Sequence, residues 1–429
     1  MTKNSQILTS IDVGTSKVCT IIAEAINPRD IKVLGYGIVP SYGLKKGTIV
    51  NSESVQKAIH VSIKNAEQQA KVKIENAYIG VTGSHVSFEN TWTTLGNTEH
   101  HDVITANDLN VGPEPAKPPF IESTRQVIHA IPMEYSIDGQ KGIRNPLGMH
   151  SQNIKIDTHF VTGETSFIEK LISSVESAGV KISGLVLEPL ASSESVLKDI
   201  EREVGSVVVD IGRGTTDIAV FKNNKLCFTS VIPVGGYQFT TDIASTYGTT
   251  FKTAEETKLR YAHTELHKVP KEMEVSMPLM GRNKHAQIPQ RDICQLTRER
   301  ALELINLIRI KLEDAKLNDL SNTQIVLTGG ASNLPGLSAL TQRYLSNRVR
   351  IGKPINHTDL PEELRNPAHS TGVGILLCVT YRDSTIWINK TNGIRNYSEP
   401  VIYLAISKMI RQCKNLFKHN LLSVNQGGS

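Results

Sequence analysis

A glycine- and threonine-rich turn joins two apolar runs in the segment VVVDIGRGTTDIAVF, residues 207–221. Glycine allows positive φ and close approach of the backbone, so such a turn can direct several N–H groups and hydroxyls at one anion. Asp210, which ends the first run, could hold a Mg²⁺ ion through water, because hard cations prefer oxygen ligands. The same segment also fits an ordinary hairpin that binds nothing.

A second segment, LTSIDVGTSKVCTIIAE at residues 8–24, repeats this pattern. The correspondence pairs Asp12 with Asp210, and Gly14–Thr15 with Gly212 and Gly214–Thr215. Two copies so far apart in the chain predict two similar lobes rather than a short-period solenoid. Two lobes that close on a phosphate chain need one such turn each. The G-x-x-x-x-G-K-[ST] and strand-linked G-x-G-x-x-G motifs are missing, which argues against a P-loop and a Rossmann site.

A third glycine turn occurs in QIVLTGGASNLPGL, residues 324–337. Gly329 and Gly330 stand at the end of a predicted strand, and paired glycines leave room for a flat purine and its ribose. A tight strand-to-helix turn is the alternative interpretation.

Periodicity predicts the elements that position these turns. Apolar residues at helical spacing indicate helices at 54–70, 166–180 and 292–315, the second ending at Gly179, and a buried strand at 76–83. The intervening residues 84–160 are typical of an inserted α+β module with a proline-rich loop at 111–120. The fold class expected from the sequence is therefore α/β.

Composition limits the protein class. The chain has 429 residues, too many for one ordinary core, and 39% apolar and 21% charged residues, as in soluble globular proteins. A formal charge of +5 argues against a general nucleic-acid binder. The five scattered cysteines predict reduced thiols in a cytosolic protein. No signal peptide is expected at the first residues, and no apolar run reaches the about 18 residues of a spanning helix.

The order of the three turns resembles the actin/heat-shock-chaperone/sugar-kinase ATPase superfamily. The connecting segments LEPLASSESVL (187–197) and NPAHSTGVGILL (366–377) agree with it. Within that superfamily, VIHAIPMEYSIDGQKGIRNPLGM (127–149) is similar to the 1C insertion of the bacterial FtsA family, and VLGYGIVPSYGLKKGTIVN (33–51) is similar to the same family. The resemblance implies an actin-like two-lobed ATPase fold of two ribonuclease-H-like domains, with the 1C insertion and a C-terminal amphipathic helix.

The resemblance also implies domain boundaries. They are 1–83, 162–194 and 366–388 for subdomain 1A, 84–161 for 1C, 195–234 and 301–365 for 2A, 235–300 for 2B, 389–400 for a linker and 401–422 for the amphipathic helix.

By the same resemblance, the ligands are ATP and Mg²⁺, with Asp12 and Asp210 holding the metal through water. The first phosphate loop comprises Asp12, Gly14, Thr15, Ser16 and Lys17, and the second comprises Asp210, Gly212, Gly214, Thr215 and Thr216. Glu255 and Lys258 face the adenine and ribose from one side, and Gly329, Gly330, Ala331 and Leu334 from the other. Glu188 orients the attacking water or is a helix N-terminal acid stabilised by the dipole.

The resemblance implies at most a weak ATPase, and two features depart from the family. Arg213 occupies a position where glycine is frequent, and 111–120 is richer in proline than the usual helix. Three roles for Arg213 are open: pointing to solvent at the tip, which we expect, reaching toward phosphate, or damping hydrolysis.

The family binds the acidic C-terminal tail peptide of FtsZ in subdomain 2B. Arg291 and Arg300 match the basic positions in spacing, whereas Arg298 replaces an acidic residue. Solvated arginines on a helix face are the alternative.

The segment VIYLAISKMIRQCKNLFKHNLL, residues 401–422, predicts a basic amphipathic helix. At 100° per residue one face collects Ile402, Ile406, Met409, Ile410, Cys413, Leu416, Phe417 and Leu421, and the other Lys408, Arg411, Lys414, Lys418 and His419. Such a helix packs on the protein, binds a partner or lies in a membrane interface. Binding of one copy to anionic lipid is expected to be marginal, and many copies along a filament would bind far more strongly.

These observations favour an ATP-binding cytoskeletal adaptor on the cytoplasmic face of the inner membrane at the division site. It would polymerise, tether FtsZ filaments and meet other divisome proteins as the septum assembles. The alternatives are a pilus-assembly adaptor related to PilM and, less favoured, a small-molecule kinase of the same fold.

Overall fold

The computed structural model describes residues 6–27, 30–95, 103–105, 122–281, 285–317, 319–355, 359–380 and 387–388. The chain divides into two compact units. The first contains Met1–Phe88 and Gly163–Tyr381, and the second contains Glu89–Thr162 and Arg382–Ser429.

The strands are β1 (Gln6–Val13), β2 (Lys17–Asn27), β3 (Asp30–Pro40), β4 (Leu44–Lys45), β5 (Thr48–Ile49), β6 (Asn76–Val81), β7 (Val86–Leu95), β8 (Arg125–Ile137), β9 (Gln140–Ile143), β10 (Ile154–Glu164), β11 (Lys181–Leu187), β12 (Ser206–Ile211), β13 (Thr216–Lys222), β14 (Lys225–Ile232), β15 (Glu274–Pro278), β16 (His285–Pro289), β17 (Gln324–Thr328), β18 (Arg348–Ile351) and β19 (Trp387–Ile388). The helices are α1 (Ser52–Ala70), α2 (Thr165–Glu176), α3 (Glu188–Val196), α4 (Asp199–Val204), α5 (Gly236–Tyr247), α6 (Phe251–Tyr261), α7 (Gln290–Asp314), α8 (Leu337–Tyr344) and α9 (Ser370–Thr380). Short 3-10 helices cover Leu266–Lys268, Gly330–Asn333, Glu362–Arg365 and Pro367–His369.

The first unit contains two five-stranded sheets of the same design. One has the order β3-β2-β1-β6-β11 and the other β14-β13-β12-β17-β18. In each sheet three antiparallel strands form a meander, and two further strands join in parallel. Because each set of five strands carries one of the two repeated segments, the duplicated sheet confirms the two predicted lobes of an actin-like fold.

Apolar runs explain why the central strands lie inside. All six residues of β12 are buried, as expected for a strand covered on both faces. In the second lobe Val209 and Leu327 from the sheet pack with Leu304 and Ile308 from α7. In the first lobe Ile21 and Ile31 pack with Leu376 of α9. The two cores hold the sheets, and the turns at the strand ends are thereby fixed in place.

Two helices, α3 and α9, cross closely within the first unit. A Cβ at Gly374 of α9 would overlap the backbone of Ala191 in α3, so only glycine permits this approach. These helices lie in the two segments, 187–197 and 366–377, that sequence similarity marked as connections.

The predicted helices are confirmed with shifted ends. Helix α1 begins at Ser52, two residues early, because the Asn51 side chain caps it by accepting from Ser54 N at 3.0 Å. Helix α2 ends at Glu176, earlier than predicted, and Gly179 follows with φ of +85°. Within the residues that the structure describes, no helix has both the length and the apolar character to cross a bilayer.

The second unit is built on a sheet of order β19-β8-β10-β7, with β9 paired to β8. Ile104, Ile137, Ile154 and Ile156 form its main apolar cluster. The described part of the predicted module is therefore a sheet. The proline-rich loop 111–120 lies outside the described residues, and so does the amphipathic segment 401–422.

Candidate functional site

The two repeated turns are closed in the same way. Gly14 N donates to Lys17 O at 3.0 Å, and Gly212 N donates to Thr215 O at 2.9 Å. In the strand registers Asp12 faces Cys19, and Asp210 faces Asp217. The turns therefore have equal length, and Thr15 corresponds to Arg213. The sequence alignment of Thr15 with Thr215 was wrong because it introduced a gap that the two turns do not have.

A cleft of about 380 Å³ in the first unit is lined by both turns and by the G-G turn. This volume is within the roughly 300–1,000 Å³ that is usual for small-molecule sites. Sixteen of the seventeen residues predicted to bind nucleotide or water line it: Asp12, Gly14, Thr15, Ser16, Lys17, Glu188, Asp210, Gly212, Gly214, Thr215, Glu255, Lys258, Gly329, Gly330, Ala331 and Leu334.

Thr216 is the exception, and its prediction as a cleft residue is corrected by the structure. Its hydroxyl donates to Val234 O at 2.8 Å, and the residue is fully buried. Successive residues of a strand point to opposite faces. Thr215 and Asp217 line the cleft, and Thr216 between them faces the interior of the lobe.

Four carboxyl groups line the cleft: Asp12, Asp210 and Asp217, which are buried, and Glu188, which is partly buried. Burial raises the pKa of Asp12 to about 6 and that of Asp217 to about 7, and the other carboxylates add to both shifts. Burial also raises the pKa of Asp210, although a hydrogen bond from Thr371 at 3.1 Å opposes the shift. A set of acidic oxygens that repel one another in a buried site suits a hard cation such as Mg²⁺.

Glu188 is the first residue of α3 and lies against Gly80 at the end of β6. Its pKa is raised well above 4.5, first by burial and then by Asp12, Asp217 and Asp210. A helix N-terminus by itself favours the charged form. Glu188 is thus a helix N-terminal acid that lines the cleft, and burial among carboxylates outweighs the effect of the dipole on its pKa.

Lys17 lies on the same wall and donates to the backbone carbonyl of Ala368. Its charge lowers the pKa of both Asp12 and Asp210, against the larger effect of burial on each. The first turn therefore brings a cation to the acidic end of the cleft.

The G-G turn approaches the second hairpin very closely. Gly329 has φ of +82°, and a Cβ there would overlap the Asp210 carboxylate and lie 2.6 Å from Ile211 O. Gly329 N donates to Pro367 O at 3.2 Å, which ties the turn to the second connecting segment. Glycine is required at this position on both grounds.

Glu255 and Lys258 form an ion pair on α6. Lys258 Nζ lies 2.8 Å from Glu255 Oε2, 2.9 Å from Thr240 Oγ1 and 3.2 Å from Gly236 O. Burial lowers the pKa of Lys258, and the cation lowers the pKa of Glu255 against the effect of burial. Leu259, next to the pair, is 73% exposed and adds an apolar side chain to the cleft lining.

Several cleft residues were missed by sequence reasoning. Asp217 is the most informative: it accepts from Thr82 and, at 3.2 Å, from Thr215. Its position seven residues after Asp210 in a hairpin was a usable signal, since it places the two aspartates opposite each other. The others include Leu44, Thr48, Thr82, His85, Phe167, Lys170 and Thr371. Of these, the residues from the turn after β6 and from α2 had no signal, because tertiary packing alone brings them to the cleft.

Arg213 does not point to solvent, which corrects the favoured prediction. The residue is partly buried, lines the cleft and places Cζ 5.2 Å from the ring centroid of Phe251. The cation–π contact holds the side chain against the lobe because the ring of Phe251 offers its negative face.

Arg291 and Arg300 both lie on α7. Nine residues at 3.6 per turn place them about 180° apart around the helix. Arg300 binds Asp242 with two nitrogens, at 2.6 and 2.8 Å, and Glu303 with a third at 2.5 Å. The structure does not bring the two arginines onto one face. The segment 401–422, with Ile402, Ile406, Met409, Ile410, Cys413, Lys414, Leu416, Phe417 and Lys418, is outside the described residues.

Two sequence models of known families match the chain. The one described as "Cell division protein FtsA" matches residues 207–374, and the one described as "SHS2 domain inserted in FTSA" matches residues 83–162. The second match falls on the segment that interrupts the first unit, whose inserted part is Glu89–Thr162.

Curated relatives agree along most of the chain. A protein named "Cell division protein FtsA" from Pseudomonas aeruginosa is 33% identical over 382 residues, covering 87% of this chain and 89% of its own. The protein of the same name from Escherichia coli K12 is 34% identical over 378 residues, covering 86% and 90%.

Solved structures with the same fold include the PilM–PilN type IV pilus biogenesis complex. It has a TM-score of 0.61 and 16% identity, and covers 87% of this chain and 98% of the matched chain. MreB5 of Spiroplasma citri bound to ADP has a TM-score of 0.51 and 14% identity, covering 87% and 97%. Identities this low show the fold alone, and so the likeness to PilM does not favour the pilus-assembly alternative. On the family matches and the full-length relatives, the chain belongs to the FtsA family of cell division proteins and has their actin-like fold.

Proposed function

We propose that this cell division protein binds Mg-ATP in the cleft and uses it to support polymerisation on the inner membrane, where it tethers FtsZ filaments. The observation that carries the nucleotide part is the pair of register-matched turns, which face one cleft together with four carboxyl groups. Each turn would offer backbone N–H groups to the phosphate chain. The adenosine would lie between α6 and the G-G turn.

The donor set fits a metal held through water. In the part of the chain that the structure describes, no three histidine, cysteine, aspartate or glutamate side chains converge closely enough to bind an ion directly. Mg²⁺ dehydrates reluctantly and commonly keeps several waters. Asp12 and Asp210 would therefore accept hydrogen bonds from its water ligands, and the ion would supply charge neutralisation at the phosphates.

The proposed residues for orienting a water molecule are Asp217 and Glu188. Thr82 and Thr215 hold the Asp217 carboxylate from two directions, and Glu188 lies at the same acidic end of the cleft. With the charge of the cluster neutralised, one of these carboxylates would orient a water and accept its proton. Any hydrolysis is expected to be slow, since the proposed role is adaptor rather than enzyme.

Titration calorimetry of the full chain with Mg-ATP tests the nucleotide proposal. We expect wild-type binding and a loss of detectable binding in Asp210→Ala. Asp314→Ala is the matched control, because Asp314 is an exposed partner of Lys311 outside the cleft. Equal dissociation constants for wild type and Asp210→Ala would remove this residue from the site.

The proposed partner is the acidic C-terminal peptide of FtsZ, bound by the 2B region around the start of α7. Arg291 would supply the first cationic contact, whereas Arg300 would have to exchange its pair with Asp242. In a pull-down with an FtsZ tail peptide we expect Arg291→Glu to reduce capture. Lys311→Glu makes the same charge change near the other end of the helix and should leave capture unchanged. Equal capture by both variants would contradict the role of Arg291.

The proposed membrane contact is the amphipathic segment 401–422. Removal of residues 399–429 should abolish co-sedimentation with anionic liposomes, and undiminished sedimentation would contradict the proposal. Phe417→Glu places a charge on the apolar face, whereas Asn415→Glu adds the same charge on the opposite face. The first should therefore lose much more liposome binding than the second.

Polymerisation would raise membrane affinity by linking many weakly binding segments. We expect liposome binding to rise more steeply than linearly with protein concentration when Mg-ATP is present. Strictly linear binding with filaments missing on lipid monolayers in electron micrographs would contradict this part of the proposal.

A further inference from the structure

Arg213 stands at the tip of the second turn and is fixed at its backbone. Its carbonyl accepts from Tyr237 N at 2.8 Å, and the preceding carbonyl, of Gly212, accepts from Gly236 N at 2.9 Å. Both donors belong to the first turn of α5. The tip is therefore attached to a helix rather than free.

The side chain is fixed as well. Its guanidinium carbon lies 5.2 Å from the centroid of Phe251, and that ring stacks on Tyr237 with centroids 5.0 Å apart and 28° between the planes. The three residues form a ladder along the wall of the second lobe. A guanidinium that is already ordered loses little rotamer freedom when it binds a ligand.

The charge of Arg213 is available for a ligand. Glu255, the carboxylate whose pKa Arg213 lowers, is bonded to Lys258 at 2.8 Å and to Thr240. Arg213 Nε is buried and has no hydrogen-bond partner among the described residues. Buried N–H groups of arginine are normally satisfied.

We propose that the Arg213 guanidinium binds the phosphate chain of the nucleotide, so that affinity for the ligand depends on the number of its phosphates. Arginine has five N–H donors and no acceptor, and its fork matches phosphate oxygens. Its neighbours in the turn, Gly212 and Gly214, line the same cleft. The inference rests on the proposed nucleotide site and adds to it a contact where the family frequently has glycine.

The test compares ligands that differ in phosphate number. The dissociation constants of adenosine, AMP, ADP and ATP, with Mg²⁺ present, are measured by equilibrium titration for wild type and Arg213→Gln. Arg260→Gln is the matched control, because Arg260 also stacks on an aromatic ring, Tyr261 at 5.9 Å, and does not line the cleft. Circular dichroism and thermal unfolding establish that both variants fold.

We expect Arg213→Gln to raise the dissociation constants of ADP and ATP by about tenfold to a hundredfold, as for the loss of a charge-assisted hydrogen bond. The dissociation constant of adenosine should change by less than about twofold, because this neutral ligand has no phosphate for the arginine to bind. Arg260→Gln should change none of the four. Arg213→Lys should recover only part of the loss, since it restores charge without the planar fork.

An equal loss for adenosine and ATP would overturn the inference, because it would place the contact on the nucleoside. Unchanged binding in Arg213→Gln, with wild type binding ATP, would overturn it and leave the proposed nucleotide site standing. A wild-type chain that binds none of the four ligands would contradict both.

Phe251→Leu tests the ladder independently of charge. We expect a smaller loss of ATP affinity than in Arg213→Gln, and a double variant no weaker than Arg213→Gln alone. Non-additivity of this kind shows that the ring acts through the arginine. Additive losses would mean that Phe251 contributes separately, and would overturn its assigned role as a positioning residue.

Discussion

The two turns that face the cleft have the same backbone arrangement and differ in the side chains that they present. Each is closed by a glycine N–H bonded to the carbonyl three residues later, at 3.0 and 2.9 Å. Each follows an aspartate, Asp12 or Asp210. Across the strand pair, however, Asp12 faces Cys19 and Asp210 faces Asp217. At the tips, Thr15 corresponds to Arg213.

The two turns therefore add different charged groups to the cleft. The first turn contributes one carboxylate and the cation Lys17, whereas the second contributes two carboxylates and the stacked Arg213. Burial raises the pKa of Cys19 to about 12, so this thiol stays neutral, while Asp217 has a pKa of about 7 and can exchange a proton near neutrality. The two hairpins thus have the same backbone hydrogen bond, and of the two the second pairs one aspartate with another across its strands.

The largest expected effect is on the rate of ATP hydrolysis, which should depend on Asp217 and not on Cys19. Asp217→Asn should slow any ATP hydrolysis by about 100-fold or more, because a positioned proton acceptor is lost. Cys19→Ser, at the matching position of the other hairpin, should change turnover by less than about threefold, since a neutral thiol accepts no proton at this pH. Phosphate release in single-turnover conditions measures both. Equal rates for the two variants would contradict the division of roles.

A smaller effect is expected on ATP affinity when the glycines of the two turns are replaced. A Cβ at Gly214 would lie 2.6 Å from Thr15 Oγ1 and 3.2 Å from Lys46 N, both in the opposite lobe. Gly214→Ala should therefore push the lobes apart and weaken ATP binding by about tenfold, as for an overpacked contact.

Gly14→Ala and Gly212→Ala are the matched pair for that prediction. The nearest neighbour of each Cβ would be the carbonyl of its own turn, at 3.0 Å for Lys17 O and 3.2 Å for Thr215 O, with Asp12 Oδ1 and Thr215 Oγ1 at ordinary contact distances of 3.7 and 3.9 Å. Both should weaken ATP binding by about threefold or less, and by similar amounts. If either variant lost as much ATP affinity as Gly214→Ala, the effect of Gly214→Ala could not be assigned to contact across the cleft.

The smallest effect is on stability without nucleotide. The pKa of Asp217 is raised from 3.8 to about 7 and that of Asp12 to about 6, so these two groups bind more protons in the folded than in the unfolded chain between about pH 4 and 7. Their contribution to the free energy of unfolding should fall as pH rises through this range, whereas the buried His159 and His369, with pKa values lowered to about 4 and about 3, contribute in the opposite direction. We expect the two aspartates together to lower the unfolding temperature by about 3–6 °C from pH 5 to pH 8.

Asp217→Asn should remove the larger part of this contribution, because the pKa of Asp217 is shifted further than that of Asp12. Cys19→Ser should not, since the thiol titrates far above this range. Differential scanning calorimetry at a series of pH values measures the slopes. An unfolding temperature that rises with pH in wild type, with the same slope in Asp217→Asn, would contradict the assigned pKa shifts.

Much of the fold was predictable because it depends on local patterns. The apolar runs of β1 and β12, the helical spacing of α1 and α7, and the two aspartate-glycine turns are all written in short segments. The duplication of two such segments was sufficient to predict two lobes. Helix ends were less predictable: α1 begins where the Asn51 side chain caps it, and α2 ends before its glycine.

The site was predicted where residues are consecutive and missed where packing assembles them. Thr216 was placed in the cleft because sequence likeness does not show which side of a strand a residue faces. Thr82 and Phe167 reach the cleft from the turn after β6 and from α2, and they carry no local signal. The position of Arg213 depended on Phe251, which lies far along the chain on α6 and could not be paired with it from spacing.

The central claim is that both hairpins hold one Mg-nucleotide through Asp12 and Asp210. Calorimetric titration of the full chain with ATP, in excess Mg²⁺ and in EDTA, tests it most directly when wild type is compared with Asp12→Asn and Asp210→Asn. We predict that Mg²⁺ strengthens ATP binding by about tenfold or more in wild type and by less than about twofold in either variant. Wild-type affinity that is the same in EDTA, or Mg²⁺ dependence that survives in both variants, would contradict the account.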